Sequence, residues 1–141
     1  DLIYSNMMLN EVKQIGNVFK EAYRCLKRGG RFMFSVTHPA WDLFVYAQEQ
    51  AGKKSTKIQG LQGYFTSGYA RYLMVDEENK KEYQVAHYHR TIEVYVSELL
   101  SAEFIIQGIH EPALTPALLK HAPRFIKYKN HPVGLVFSCK K

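Results

Sequence analysis

The chain has 141 residues, of which 46% are hydrophobic, and it carries a formal net charge of +6 at pH 7. This length is sufficient for one domain with a buried core, and no apolar stretch reaches the about 18 residues that a transmembrane helix requires. The Lys and Arg residues are scattered, which favours a solvated basic surface over one that binds nucleic acid. Cys25 and Cys139 are far apart without metal-ligand spacing, which is typical of free thiols in a reducing cytoplasm.

Residues 1–39 are predicted to form a strand, a helix and a second strand. The helix carries apolar side chains at three- and four-residue steps: Val12, Ile15, Phe19, Ala22, Tyr23 and Leu26. Asn10 is predicted to cap the start of this helix, and Gly29-Gly30 to end it. Residues 32–36 are almost continuously apolar, which is typical of a parallel strand covered by helices on both faces.

The same stretch resembles a known family. Asp-Leu-Ile-Tyr-Ser at residues 1–5 and Cys-Leu-Lys-Arg-Gly-Gly-Arg-Phe-Met-Phe-Ser at residues 25–35 resemble the second half of a class I S-adenosylmethionine-dependent methyltransferase. The resemblance continues through residues 88–91, residues 104–106, Glu111-Pro112 and the last strand. It implies an α/β fold containing strands four to seven of a Rossmann-like sheet, with the last strand antiparallel.

Residues 40–90 fit no repeat of such a sheet. Residues 41–50 predict a short helix, and the polar, glycine-bearing residues 51–63 predict a loop. Residues 69–75 and 82–89 are rich in strand formers and flank a charged turn, which predicts an antiparallel hairpin. Half of the ten tyrosines lie in and around this hairpin. We interpret the region as an inserted lid over a substrate pocket; packing of the rings against the body is the alternative.

The remainder of the chain predicts one more long helix and two strands. Thr91 is a good N-cap, and the helix that follows is predicted to end near Ala102-Glu103, where the family often has glycine. Residues 104–109 and 133–138 predict strands, and residues 117–121 a short helix. Residues 1–141 are therefore predicted to be the C-terminal portion of one methyltransferase domain.

Ligands of open α/β sheets bind beyond the carboxyl ends of the parallel strands, which directs attention to the residues after the first two strands. By the resemblance, Ser5, Asn6 and Met7 border the cofactor, S-adenosylmethionine. Asn10, which stands where many relatives have histidine, is predicted to contact the substrate.

Methyl transfer requires alignment of the acceptor and can require a general base. We predict catalytic roles for His38 and, second, for His89; the alternative for each is a histidine that bonds a loop. Trp41, Tyr69 and Arg90 are predicted to contact the substrate, the alternatives being packing for Trp41 and an ion pair for Arg90. A His-x-His metal site that includes His89 has no third ligand at clear spacing, so no metal is predicted.

The sequence contains no Gly-x-Gly turn after a strand, the element that cradles the cofactor in this family. We therefore expect the chain alone to bind S-adenosylmethionine poorly and to have little activity alone. The predicted function is the C-terminal part of a methyltransferase with a small-molecule acceptor. The alternatives are a non-catalytic truncated relative that serves association, and an RNA or protein methyltransferase. The open edge of the strand at Asp1–Tyr4 predicts self-association or a fragment of a longer protein.

Overall fold

A computed structural model of the chain describes residues 1–50, 57–75 and 81–141. The strands of these residues are β1 Leu2–Asn6, β2 Arg31–Thr37, β3 Lys57–Gln59, β4 Gly68–Val75, β5 Glu82–His89, β6 Ile105–His110 and β7 Gly134–Lys140. The helices are α1 Ile15–Cys25, α2 Pro39–Gln50, α3 Ile92–Ser101 and α4 Pro116–His121, with 3-10 helices at Leu9–Glu11 and Pro123–Tyr128. None of these helices is long and apolar enough to cross a membrane.

Four strands form a mixed sheet in the order β1-β2-β7-β6. Strands β1 and β2 are parallel, and β7 is antiparallel to both of its neighbours, β2 and β6. Strands β1, β2 and β6 consequently run in one direction and end on the same side of the sheet. We call that side the carboxyl edge; it is formed by the ends of these strands at Asn6, Thr37 and His110 and by the residues that follow them.

The core lies on one face of this sheet. Burial alternates along β2, where Phe32, Phe34 and Val36 are buried and the side chains between them are only half-buried. Helices α1 and α3 contribute Phe19 and Tyr95 to the same aromatic core. The expected helical cover on both faces of β2 is therefore not found among the described residues, because both of these helices pack on one face.

The predicted N-cap of α1 is wrong. The helix begins at Ile15 with Gln14 as its N-cap, and Asn10 lies in the preceding 3-10 helix. The reason is a contact distant in sequence, because the Asn10 side chain donates to Thr37 Oγ1 (2.8 Å) instead of to its own helix. The N-cap predicted for α3 is confirmed, since Thr91 Oγ1 accepts a hydrogen bond from Val94 N (3.3 Å).

The end of α3 uses an unfavoured backbone conformation. Glu103 follows the helix with φ = 67°, in the left-handed region that usually holds glycine. Its amide donates to Leu100 O (2.9 Å) and the next amide, of Phe104, donates to Leu99 O (3.1 Å). The turn thus keeps the hydrogen bonds of a glycine-terminated helix at a residue with a side chain.

A second sheet has three strands in the order β3-β4-β5. The predicted hairpin is confirmed as β4 and β5, which pair antiparallel from Gly68↔His89 to Val75↔Glu82. The loop predicted over residues 51–63 is wrong in part, because Lys57–Gln59 forms β3 and pairs with β4. Residues 76–80 of the predicted charged turn lie outside the described residues.

Candidate functional site

The segment after β1 is tightly fastened to β2. Met7 has φ = 54°, a left-handed conformation that costs a residue other than glycine roughly 1–3 kcal/mol. Its amide donates to Ser35 O (3.0 Å) and to Ser35 Oγ (3.2 Å). The Ser35 hydroxyl in turn donates to Asn6 Oδ1 (2.5 Å). A strained, well-bonded turn therefore stands at the carboxyl edge where the sequence predicted a border of the cofactor.

This turn fits one border of a cofactor site. Asn6 and Met7 are exposed, and Ser5 Oγ is buried without a hydrogen-bond partner in the described part of the chain. An exposed, preorganised turn can hold a ligand at little cost in ordering. The glycine-rich turn that cradles the nucleotide part of such a cofactor is not in this sequence, and the role of Ser5, Asn6 and Met7 at the cofactor border stays a prediction.

A row of polar side chains runs along the carboxyl edge from β1 towards β6. The Asn10 side chain donates a hydrogen bond to Thr37. His38, which follows Thr37 in the chain, forms a hydrogen bond with Glu111 after the end of β6. We call Asn10, Thr37, His38 and Glu111 the edge row. It includes two of the predicted site residues, Asn10 and His38, in two separate hydrogen bonds, and adds Glu111, for which the sequence predicted no role in the site.

The protonation of His38 follows from its partners. Its Nδ1 accepts a hydrogen bond from Ala40 N (3.0 Å) at the start of α2, so the ring proton is on Nε2. That Nε2–H donates to Glu111 Oε1 (2.7 Å). Both nitrogens of this buried imidazole are therefore engaged, and in this arrangement His38 orients a carboxylate. Its predicted catalytic role stays a prediction.

His89 lies in a different cluster, buried between α2 and the three-stranded sheet. Asp42 Oδ2 accepts hydrogen bonds from His87 Nε2 and from His89 Nδ1, both at 2.8 Å. Its other oxygen accepts a hydrogen bond from the Tyr72 hydroxyl (2.7 Å). We call Asp42, Tyr72, His87 and His89 the Asp42 cluster. Each of its carboxylate oxygens is satisfied, as a buried charge requires.

The geometry makes His89 a cation. Its Nε2 faces the carbonyl oxygen of Tyr64 (2.9 Å), which can only accept, while its Nδ1 faces Asp42. Burial alone would lower the pKa of His89, but the hydrogen bonds to Asp42 and to the Tyr64 carbonyl outweigh burial and raise it. Burial alone would raise the pKa of Asp42, but the hydrogen bonds from both histidines lower it. His89 has no free lone pair here, and its catalytic role stays a prediction.

The two histidines of the hairpin converge on Asp42 as hydrogen-bond partners. Nowhere in residues 1–50, 57–75 and 81–141 do three or more His, Cys, Asp or Glu side chains form a group that could hold a metal ion.

Arg90 links the two sheets. This buried guanidinium donates to the backbone oxygens of Val12, Lys13 (3.0 Å) and Tyr88 (3.1 Å). It thereby ties the end of β5 to the segment between β1 and α1. These contacts are all with backbone oxygens, and the predicted substrate contact of Arg90 stays a prediction.

The other two predicted substrate residues contact aromatic rings. Trp41 is half-buried, with its ring 4.9 Å from that of Tyr128 and 5.3 Å from that of Phe44. Tyr69 is 49% exposed on β4, with its ring 5.3 Å from that of Tyr88. A cavity of about 300 Å³ opens between Phe65 and α3, and none of the predicted site residues lines it.

Sequence reasoning missed three residues that organise these contacts, namely Ser35, Asp42 and Glu111. Each had a local signal. Ser35 is the polar residue in an apolar strand, and Asp42 is a charged residue within an apolar stretch of α2. Glu111 directly follows the end of β6, where the rule for parallel strands places ligand contacts.

Comparisons with known proteins identify relatives of the fold. The model of a family described as a methyltransferase domain matches residues 1–34. A comparison with curated proteins finds no match.

Solved structures match nearly the whole chain. An S-adenosylmethionine dependent methyltransferase from Mesorhizobium loti matches at a TM-score of 0.66 and 21% identity, over 100% of this chain and 62% of that one. A protein from Listeria monocytogenes assigned to the same class matches at a TM-score of 0.72 and 27% identity, over 99% and 60%. A SAM-dependent methyltransferase from Methanosarcina mazei matches at a TM-score of 0.60 and 20% identity, over 100% of this chain and 58% of that one.

The chain thus spans about three fifths of the length of these proteins. The likeness covers both sheets, since almost every residue is aligned. The sheet, the matched segment and these structures confirm the resemblance predicted from the sequence: the chain has the α/β fold of the class I S-adenosylmethionine-dependent methyltransferases.

Proposed function

We propose that this chain is the C-terminal part of an S-adenosylmethionine-dependent methyltransferase that methylates a small molecule. The observation that carries the proposal is the strand order β1-β2-β7-β6 with β7 antiparallel. In the family, strands four, five, seven and six lie side by side in the same order and directions. The 34 residues matched by the methyltransferase model comprise β1, α1 and the start of β2, which supports the family part of the proposal.

The residues of the chain would act by positioning. S-adenosylmethionine, when bound, supplies a methyl group on a sulfonium centre. The Ser35-fastened turn of Asn6 and Met7 would border its amino-acid end, while the edge row faces the acceptor. Positioning alone can supply much of the rate enhancement of a displacement reaction, because it removes the entropy cost of bringing reactants together.

The three-stranded sheet with α2 is proposed as the lid over the acceptor. It follows β2 directly, and the Asp42 cluster fixes it to the helix that begins at the carboxyl edge. It carries exposed rings, among them Phe65 at 89% and Tyr69 at 49% exposure. Exposed aromatic rings are suited to covering a small organic acceptor. The scattered basic residues favour such an acceptor over a nucleic acid.

Calorimetric titration with S-adenosylhomocysteine tests the proposal. We expect the protein in its full natural length to bind it and residues 1–141 alone to bind it much more weakly. Failure of both proteins to bind would contradict the proposal and favour a module that serves association. Tight binding by residues 1–141 alone would contradict the account of the cofactor site as only partly contained in this chain.

A variant pair locates the site. Ser35→Ala removes the hydroxyl that holds Asn6 and Met7, so we expect roughly fivefold weaker binding of S-adenosylhomocysteine by the full-length protein. Ser101→Ala, at the exposed end of α3, is the matched control and should bind normally. Equal affinity of the Ser35→Ala variant and the control would exclude the turn after β1 from the cofactor site.

A further inference from the structure

The edge row has one end that is charged and open. Glu111 follows β6, and 56% of its side chain is exposed. The buried His38 donates to it from Nε2, and Ala40 fixes His38 in the neutral tautomer that can donate only from that atom. The pair therefore presents a single negative charge, on Glu111, and the buried His38 fixes the orientation of that carboxylate.

A surface glutamate does not usually have this support. An exposed carboxylate on a free side chain loses rotamer entropy when it binds a partner, which offsets most of the Coulomb energy. The 2.7 Å bond to a buried ring holds Glu111 before any ligand arrives. Preorganisation of this kind is what distinguishes a recognition group from a solvated charge.

The other end of the row also has an unfilled acceptor. Asn10 is 95% buried, its amide nitrogen is used on Thr37, and its Oδ1 has no partner in the described part of the chain. A buried acceptor without a partner costs stability that a ligand donor can recover. The edge row thus offers two hydrogen-bond acceptors, the exposed carboxylate of Glu111 and the buried Oδ1 of Asn10, and the first is negatively charged.

We propose that Glu111, oriented by His38, binds a cationic amine group of the methyl acceptor. An ammonium group matches the Glu111 carboxylate because it combines positive charge with several N–H donors. The amine is an anchoring group and is held in its protonated form, so it is distinct from the atom that receives the methyl group. This inference rests on the proposed function, and it names the class of acceptor.

The test uses the full-length protein labelled with ¹⁵N-histidine. The imidazole Nε2–H signal of His38, assigned by its loss in His38→Asn, reports on the hydrogen bond to Glu111. Benzylamine is the probe, and benzyl alcohol, which has nearly the same shape and no charge, is the matched neutral compound. We expect benzylamine to shift the His38 signal saturably, and benzyl alcohol to leave it unchanged.

Two variants make the result specific. Glu111→Gln keeps the size of the side chain and removes its charge, so benzylamine affinity should fall about tenfold. Glu103→Gln removes a carboxylate that is exposed after α3 and should leave the affinity unchanged. No shift with benzylamine, equal shifts with both compounds, or unchanged affinity in Glu111→Gln would each overturn the proposal.

The same samples separate this inference from the proposed function. S-adenosylhomocysteine binding is measured on each variant, and Glu111→Gln should retain it because Glu111 lies beyond the cofactor border. Binding of S-adenosylhomocysteine without a benzylamine response refutes the amine site alone. A benzylamine response without S-adenosylhomocysteine binding refutes the methyltransferase proposal and leaves the amine site intact.

Discussion

The four-stranded sheet packs on an aromatic core, whereas the three-stranded sheet is fastened by a buried carboxylate. In the first region, the Phe34 ring lies 4.8 Å from the Phe137 ring and 5.3 Å from the Phe19 ring. In the second region the buried apolar cluster among the described residues is small: Val45, Ile58, Leu61 and Ala70. Beside it, Asp42 is only 2% exposed and bonds two histidines and a tyrosine.

This difference indicates which region depends on the protonation of its side chains for stability. Apolar burial does not depend on protonation, so the four-stranded sheet should keep its packing over a wide pH range. A buried ion pair depends on both partners remaining charged, and removal of one partner leaves the other uncompensated. We therefore expect the proposed lid to respond to changes that leave the body of the fold intact.

Phe34→Ala should weaken the body most. Loss of a buried phenylalanine creates a cavity and typically costs about 3–5 kcal/mol of the free energy of unfolding. Hydrogen exchange should increase throughout β1, β2, β6 and β7. Phe65→Ala, at a ring that is 89% exposed, is the matched control and should change little. A loss of less than about 1 kcal/mol would show that the aromatic core does not hold this sheet.

Asp42→Ala should have a similar size of effect in the other region. It leaves the His89 cation without its counter-charge, and the free energy of unfolding should fall by about 3–5 kcal/mol. Because the broken contacts join α2 to β4 and β5, hydrogen exchange should increase there and much less in the four-stranded sheet. Uniform loss of protection across both sheets would contradict the independence of the two regions.

The contribution of the Asp42 cluster should vary with pH in a defined direction. The pKa of His89 is raised from its ordinary value of 6.5, so its contribution is complete below that pH and is lost as the pH rises through the raised value. The pKa of Asp42 is lowered from 3.8, so its contribution is present above that pH and is lost as the pH falls further.

The measurement is the difference in unfolding free energy between the native sequence and Asp42→Asn, taken from pH 3 to pH 10 in urea. It should be largest between about pH 4 and pH 6.5 and decline on both sides. A difference that increases steadily towards alkaline pH would show that His89 is neutral in the folded protein.

Tyr72→Phe removes one hydrogen bond to the same carboxylate and should cost about 1.5–3 kcal/mol, as is typical of a bond to a charged group. The chosen control is Tyr69→Phe on the same strand, where the ring is half-exposed. Thermal unfolding of both variants gives the comparison. Equal stabilities would mean that the Tyr72 hydroxyl contributes nothing to the attachment of the lid.

Thr91→Ala should have the smallest effect, about 1 kcal/mol, because it removes the N-cap of α3. Thr115 caps the short helix α4 in the same way, accepting a hydrogen bond from Leu118 N at 3.3 Å. Thr91 is buried and Thr115 is exposed, so Thr115→Ala should cost less. A larger loss in Thr115→Ala would contradict this ranking by burial.

Local patterns predicted the elements that depend on local physics. The helical spacing of apolar residues and the Thr91 cap located α3, and the strand-forming residues located the β4–β5 hairpin. Asn10 was predicted to be an N-cap because the sequence does not reveal that its side chain forms a hydrogen bond with Thr37, which is distant in the chain. The strand β3 was missed because a three-residue strand among polar residues exists only through its pairing with β4.

In the candidate site, too, the features that depend on local pattern could be predicted and the contacts between distant residues could not. The rule for parallel strands directed attention to the ends of β1 and β2, and it needed only the strand direction, which the structure confirms as parallel. The two histidines that meet Asp42 lie 45 and 47 residues from it in sequence. Their chemistry could be recognised from the sequence, but their partner could not, because no local pattern records which side chain a distant helix presents.

The proposed cofactor site is tested most directly by NMR of methionine methyl groups near it. In full-length protein with ¹³C-methyl-methionine, the signals of Met7 and Met8, assigned through Met7→Leu and Met8→Leu, report on the turn after β1. The proposed function predicts that saturating S-adenosylhomocysteine shifts both signals, because both side chains are exposed beside the cofactor border. Saturation that leaves both signals unchanged would contradict the assignment of this edge of the sheet to a methyltransferase site.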